Sequence, residues 1–317
     1  MLDLEGDLGA KYCSCGFKTA AFSMLNRDWV INREKPMNDH YGVGKDRLVH
    51  YICHRASHPI EIDGDLSKPA WRDAPRSRRF VDLVTGEPAL LDTRMAALWD
   101  DNALYVGFWI EEPQVRASLT KRDSFIWFEN DVEVFIAGED CYYEFEINAL
   151  NTVYEAFFVY QDVLRRGSRF DTPEFDLYSH DVDVLGGFQD SSRNGKHPRG
   201  KRWAFMDWDF PGLETAVRVH GSINDPSVVD QGWTVELAFP WDGMHKLFAN
   251  RQFPPKDGDT LRSAFFRFES MEYNGKKTQD PIGWALNEHG VYDSHIPECF
   301  SYLDFSEESP KATHKND

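Results

Sequence analysis

The sequence predicts an all-β fold, an antiparallel β-sandwich of jelly-roll type, on three observations. Short runs of β-branched and aromatic residues recur along the chain, turns rich in Gly, Pro, Asp and Asn separate them, and no helix-period segment of comparable length interrupts them. Aromatic residues make up 14% of the chain, ten of them Trp, which is ample apolar area for the core between two facing sheets. A length of 317 residues suits one large domain with extensions.

Residues 1–46 mix polar, charged and Gly residues without periodicity and read as an N-terminal extension, with "NREKPMNDHYGVGKD" as a linker or an arm over the domain. The sandwich is expected over residues 47–306. Its first strand is "PIEID", ended by the turn Asp63-Gly64-Asp65, and "TRMAALWD" and "ALYVGFWIEE" form a hairpin through Asp101-Asn102. "NDVEVFIA", "CYYEFEINAL" and "TVYEAFFVY" follow. "TAVRVHGSI", "GWTVELAFPW", "LRSAFFRFE" and "CFSYLDF" complete the set, and "PWDGMHKLF" holds a turn or two of helix. Between the two groups, about residues 165–202 form an insertion with little strand character, read either as disordered or surface-covering chain or as a lid that contacts a ligand. Residues 307–317 are a solvated tail. Trp71, Trp99, Trp233 and Trp241 are expected in core or rim packing.

Acidic residues outnumber basic ones by 53 to 35, a formal charge of -18. Such a surface repels a phosphate backbone and an anionic membrane, so neither nucleic acid nor membrane is expected as a partner. It is compatible with ordinary solubility, with cation binding and with neutral polar ligands such as sugars. The five cysteines are scattered without a CxxC and indicate neither a disulfide framework nor a zinc site. "MLDLEGDLGAKYCSCGFKTAAF" has no apolar run of signal-peptide length, so the sequence as it stands reads as cytoplasmic; a truncated or misassigned N-terminus would make it secreted. Seven Met and eleven His are present, but no axial pair for a haem can be nominated. Nothing in the sequence sets an oligomeric state.

The stretch "IWFENDVEVFIAGED" reads as a strand that starts at Trp127. Alternation puts Val132, Val134 and Ile136 on one face and Asp131, Glu133 and Phe135 on the other. In "YYEFEINAL" the same period separates Tyr143, Phe145 and Ile147 from Glu144, Glu146 and Asn148. If "GEDC" closes a hairpin, Glu133, Glu146 and Asn148 share a face beside Phe135. That row is either a solvated strand face or a platform for hydroxyl groups, since carboxylates and amides bind sugar hydroxyls while an aromatic ring stacks on the C–H face.

The order "IEIDGDLSKPAW", "ALWDDNALYVGFWIEEP", "WFENDVEVFIAG", "FEINALNT", "GWTVELAFPW" and "HIPECFSYLDF" resembles the family-nine carbohydrate-binding modules and their longer relatives. The resemblance runs from about Leu48 to Phe305. It implies a β-sandwich that recognises an oligosaccharide or polysaccharide by aromatic stacking and hydrogen bonds. Trp127 matches the first of two tryptophans that clamp a glycan end, Glu133 a glutamate six residues on, and Asn148 a polar contact. Glu146 stands where the family carries an arginine. Tyr292 and His295 occupy the region of the second clamp tryptophan, with Trp284 upstream. The resemblance also implies structural calcium, for which Asn224, Asp225 and Asp230 in "NDPSVVD" are candidate oxygen ligands.

Two functions follow. The first is carbohydrate binding without reaction, through Trp127, Glu133, Glu146, Asn148, Trp284, Tyr292 and His295. The alternative is a carbohydrate-active enzyme of hydrolase or lyase type, with Glu133 and Glu146 as paired carboxylates and His295, His180 or His289 assisting as acid, base or metal ligand.

Overall fold

The alternating runs become paired strands. The computed structural model describes residues 41–185, 199–273, 276–278 and 280–310. Most of the expected N-terminal extension, the middle of the 165–202 insertion and the end of the tail therefore lie outside the described residues. In chain order the strands are β1 (His50–Arg55), β2 (Val81–Asp82), β3 (Thr93–Trp99), β4 (Ala103–Glu111), β5 (Asp131–Ala137), β6 (Cys141–Asn148), β7 (Val153–Tyr160), β8 (Val182–Leu185), β9 (Arg202–Phe205), β10 (Glu214–His220), β11 (Gly232–Pro240), β12 (Thr260–Glu269), β13 (Glu272–Tyr273), β14 (Lys276–Lys277), β15 (Ile282–Ala285) and β16 (Ser301–Ser306). Among the described residues, helix is limited to Pro69–Asp73 and short 3-10 turns, including Ile126–Phe128 and, as expected, Trp241–Lys246. No helix among the described residues is long and apolar enough to cross a membrane.

Hydrogen bonding runs in the order β10-β11-β4-β3-β1-β16-β12-β5-β6-β7-β9-β8, with β15 beside β12 and β2. The chain folds this ribbon into a sandwich: β10, β11, β4 and β3 face β12, β5, β6, β7 and β9 across one core, and β1 and β16 form the join. Phe108 on β4 meets Phe265 on β12 at 6.2 Å between ring centroids, and Phe145 on β6 meets Phe239 on β11 edge-on at 5.7 Å. The pairing is antiparallel throughout except at the join, where β1 runs parallel to both β16 and β3.

"PIEID" is not a strand. The backbone N–H groups of Asp63 and Gly64 instead donate to Glu236 Oε2 on β11, each at 2.9 Å, while Trp71 Nε1 donates to Oε1 at 2.7 Å. This fully buried carboxylate also pairs with Lys68 and so fastens the first turn and the short helix to the sheet. The first strand is β1, "HYICHR", which alternation alone did not single out because its exposed positions include Ile52.

Strands β5, β6 and β7 are buried along both faces. One face holds Val132, Val134, Ile136, Tyr143, Phe145 and Ile147 in the main core. The other is covered by a second apolar cluster that includes Phe135, Tyr142, Tyr154, Phe158, Phe266 and Phe268. The acidic row of β5 and β6 is therefore not the wet side of a strand.

Candidate functional site

Period-two alternation sets the floor of the site. Across β12, β5, β6 and β7 the register aligns Phe266, Glu133, Glu146 and Tyr154 in one row. Asp131 lies two residues before Glu133 on the same face, opposite Asn148, and Glu144 lies two before Glu146, opposite Phe135. All four carboxyls are buried, with 4% exposure or less. Asp131, Glu133 and Glu146 each offer an oxygen within 4.8 Å of the others. Asp131 Oδ2, Glu133 Oε2 and Glu146 Oε2 have no hydrogen-bond partner.

Such packing perturbs ionisation. Burial, reinforced by the neighbouring carboxyls, holds Glu133 and Glu146 well above the usual carboxylate range, and burial does the same to Asp131. Glu144 is pushed up to about 8 by burial, against the opposing pull of a hydrogen bond with Glu146 and the charge of Arg202. Two ionised carboxylates at this spacing repel by about 3–4 kcal/mol at an effective dielectric of ~20. The bare cluster therefore keeps protons or takes up positive charge.

The floor opens into a cavity of about 450 Å³, within the roughly 300–1,000 Å³ range of small-ligand sites. Its lining includes Trp127, Phe128, Glu133, Glu144, Glu146 and Tyr154 on one side and Phe268, Tyr292, Asp293, Ser294 and His295 on the other. Trp127 belongs to the 3-10 turn Ile126–Phe128 before β5, not to the strand itself. Its ring stacks on Phe125 at 4.5 Å and meets Tyr154 edge-on at 4.8 Å, and Phe128 beside it is 70% exposed. A run of aromatic residues thus forms the rim. Opposite, the Tyr292 hydroxyl donates to Pro281 O at 2.6 Å and its ring packs edge-on to Phe268 at 6.0 Å. His295 sits between, its Nδ1 3.1 Å from the Tyr142 hydroxyl and its Nε2 3.5 Å from Glu144 Oε1. Arg202, buried behind it, donates to His295 O at 2.9 Å.

Of the residues nominated from sequence, Trp127, Glu133, Glu146, Tyr292 and His295 meet in this cavity. Two do not. Asn148 ties its own turn to the preceding loop: its amide donates to Leu119 O at 2.9 Å and Glu129 Oε1 at 2.8 Å, and its carbonyl oxygen accepts from Leu150 and Thr152 N–H, each at 3.0 Å. Trp284 lies on the opposite face of β15, 2% exposed in the main core with Arg267 over its ring at 5.1 Å. The loop candidates for calcium are turned on backbone as well. Asn224 exchanges hydrogen bonds with Ala117, Asp225 Oδ1 accepts from Ser227, and Asp230 accepts from Val115 and Ser222. His180 binds Asp207 and Pro173 O, and the His289 ring is buried under Phe266.

Asp131 and Glu144 join the site although only the alternation marked them. Tyr154, Phe158 and Phe268 join it because of strand register. Asp183 and Leu185 of the insertion also reach the cavity wall, while Phe170 and Phe175 of the same segment are buried in the core. Residues 186–198 of that insertion lie outside the described residues.

Comparison with known proteins shows a likeness over part of the chain. Residues 62–162 match the model of the carbohydrate family 9 binding domain-like family. That segment spans β2 to β7, and so includes Trp127 and the four acids of the floor. A search of curated proteins finds no match. Among solved structures, one similar chain is a candidate carbohydrate-binding protein from Bacteroides uniformis ATCC 8492, with 16% identity, coverage of 82% of this chain and 100% of that one, and a TM-score of 0.49. Two others are a carbohydrate-binding module of family 9 from Caldicellulosiruptor kristjanssonii. In complex with cellotriose it shows 12% identity over 84% of this chain and 100% of that one, TM-score 0.44. In complex with glucose the identity is 13% over 83% and 100%, TM-score 0.44. Residues 62–162 are thus similar to the carbohydrate family 9 binding domain-like family, and the acids on the floor of the cavity lie inside that matched segment.

Proposed function

We propose that this protein binds an oligosaccharide or the accessible part of a polysaccharide in the cavity between Trp127 and Tyr292. The observation that carries the reading is a cavity with an aromatic rim and buried carboxyl oxygens that lack partners on its floor, within a carbohydrate-binding family 9-like domain. An aromatic ring takes the C–H face of a sugar, and unsatisfied buried acceptors gain most from hydroxyl donors because leaving them bare is costly. Trp127 and Phe128 supply the first surface and Tyr292 the second. Glu133, Glu146 and the rim groups Asp293, Ser294 and His295 take the hydroxyls.

The same pair underlies the enzymatic alternative. A hydrolase needs carboxyl groups flanking the scissile bond, about 5–5.5 Å or 6.5–9.5 Å apart. Glu133 and Glu146 are direct cross-strand neighbours on one floor, on the same side of a bound ligand rather than flanking it, which favours binding.

Calorimetric titration with a panel of neutral oligosaccharides tests the reading. At least one is expected to bind, and Trp127→Ala is expected to weaken it at least tenfold, about 1.4 kcal/mol. Because Trp127 is only half-buried, the melting temperature should change little. Failure of the whole panel at millimolar concentration, or full affinity in the Ala variant, would exclude this mode of binding.

A further inference from the structure

Three carboxylic acids meet at the floor of the cavity without a base. Asp131 and Glu133 project from one face of β5, and Glu146 stands directly opposite Glu133 on β6. Each offers an oxygen within 4.8 Å of the other two, and each side chain is at least 98% buried. Asp131 Oδ2, Glu133 Oε2 and Glu146 Oε2 are all without a hydrogen-bond donor. The remaining contacts are few: Asp131 Oδ1 accepts from Phe268 N–H at 3.3 Å, and Glu146 accepts the backbone N–H of Trp127 and shares a hydrogen bond with Glu144.

No Arg or Lys among the described residues forms an ion pair with any of the three. The nearest buried guanidinium groups are engaged elsewhere. Arg202 donates to the Tyr142 hydroxyl at 3.0 Å and to His295 O, and Arg267 donates to Glu269 at 2.8 Å and to Thr93 at 2.9 Å. Phe266, on the adjacent strand, and Tyr154, on the far side of Glu146, exclude water from the sides. Three converging oxygens with no donor in an apolar surround are a ligand set for a cation, because one divalent ion removes both their repulsion and their lack of partners.

The donor set selects the ion. With carboxylate oxygens and neither Cys nor His in the triad, it suits a hard cation. Calcium takes oxygens at about 2.3–2.6 Å, so ligands on opposite sides of the ion lie up to ~5 Å apart; magnesium, at about 2.0–2.1 Å, confines them to ~4.2 Å. Oxygens within 4.8 Å of one another lie inside the span that calcium bridges, and a buried set that cannot bring water to the ion from behind suits calcium better than magnesium, which keeps several waters.

We propose that Asp131, Glu133 and Glu146 hold a calcium ion at the floor of the cavity and that its remaining coordination positions receive hydroxyl groups of the bound saccharide. With one oxygen from each, the three carboxylates fill three of the six to eight positions that calcium takes. Glu133 and Glu146 line the cavity while Asp131 lies behind them, so the unfilled positions face the opening. Vicinal hydroxyls of a sugar ring are neutral oxygen donors suited to those positions. This second element rests on the carbohydrate reading above; the ion site does not.

The test uses the full chain, stripped with chelator and exchanged into chelator-free buffer. Calorimetric titration with calcium chloride should show one tight site per chain, and terbium bound there should luminesce on excitation of the nearby Trp127 and Tyr154. Glu133→Gln, Glu146→Gln and Asp131→Asn keep the side-chain shapes and should each weaken calcium at least tenfold. Calcium should raise the melting temperature of the parent protein but not of these variants. A folded parent protein that binds no calcium overturns the proposal, as does full calcium affinity in the Glu133→Gln variant, which would put the ion elsewhere. Magnesium binding as tight as calcium overturns the choice of ion.

Saccharide titrations with calcium and with chelator address the second element. Affinity should fall at least tenfold in chelator, and affinity unchanged by chelator overturns direct coordination of the sugar. If no saccharide binds even with calcium, the carbohydrate reading fails, while the ion site is still decided by the calcium titration alone.

Discussion

At the scale of single residues, the site depends on side chains whose surroundings differ sharply from what their type suggests. His289 is one. Its ring is fully buried against Phe266 and its Nδ1 lies 2.8 Å from Asp293 O, so it starts the loop that carries Tyr292 and His295 to the cavity. Burial lowers its pKa from 6.5 to about 4. Between those values the unfolded chain takes up a proton that the folded chain refuses. The contribution of His289 is therefore complete above about pH 6.5 and lost as pH falls toward 4, up to about 3 kcal/mol. An NMR titration should show the His289 ring neutral down to about pH 5; a midpoint near 6.5 would mean that the ring is solvated. Asn148 and Trp284 make the opposite point. Both are residue types suited to a sugar site, and both are committed elsewhere, one to a turn and one to the core. Residue type alone did not distinguish them from Glu146 and Tyr292, because the difference lies in which neighbours each reaches.

At the scale of elements, most strands were legible because their alternation matches their pairing. The hairpin β3–β4 and the meander β5–β6–β7 fall where the sequence runs lie. The misreadings have local causes. "PIEID" has strand composition, but its last N–H groups are captured by Glu236 from β11, a partner 173 residues away. Trp127 precedes β5 in a 3-10 turn rather than opening the strand, and this turn lets its ring stand beside the floor. One strand position is under a strict backbone constraint. Gly232 opens β11 with φ +129, opposite Glu111 on β4, and a Cβ there would lie 1.8 Å from Ile110 O. Gly232→Ala should therefore cost roughly 2–4 kcal/mol, seen as a lower denaturant midpoint. A change below about 0.5 kcal/mol would show that β11 and β4 can separate there without loss.

At the scale of the whole molecule, the ends of the sandwich are held together by one strand. β16 lies between β12 and β1, and through β1 it joins the two layers. Leu303 and Phe305 are buried, and Phe305 packs edge-on to Trp99 at 5.8 Å. A chain ending at residue 300 would leave β1 and β12 with open edges and a void in the core, a combination that favours edge-to-edge association. Such a truncation should lose its cooperative melt and near-ultraviolet circular dichroism and elute as aggregate in size-exclusion chromatography. A monomer with the parent melting curve would show that the two layers stand without the join.

The sequence by itself determined the fold class, most of the strands and the common face of Asp131, Glu133, Glu144 and Glu146, because strand periodicity is a local property of the backbone. It also marked Trp127, Tyr292 and His295 through family resemblance. Only the tertiary structure decided that the acidic face is buried. That outcome depends on the second apolar cluster and on the loop from Pro281 to His295 that closes over it, contacts between segments more than 100 residues apart. Long-range register likewise set Phe266 beside Glu133, whereas Tyr154 meets Glu146 through the local β6–β7 hairpin. A row of acids that could have been an ordinary wet strand became the floor of a cavity because the parts of the chain that cover it come from elsewhere in the sequence.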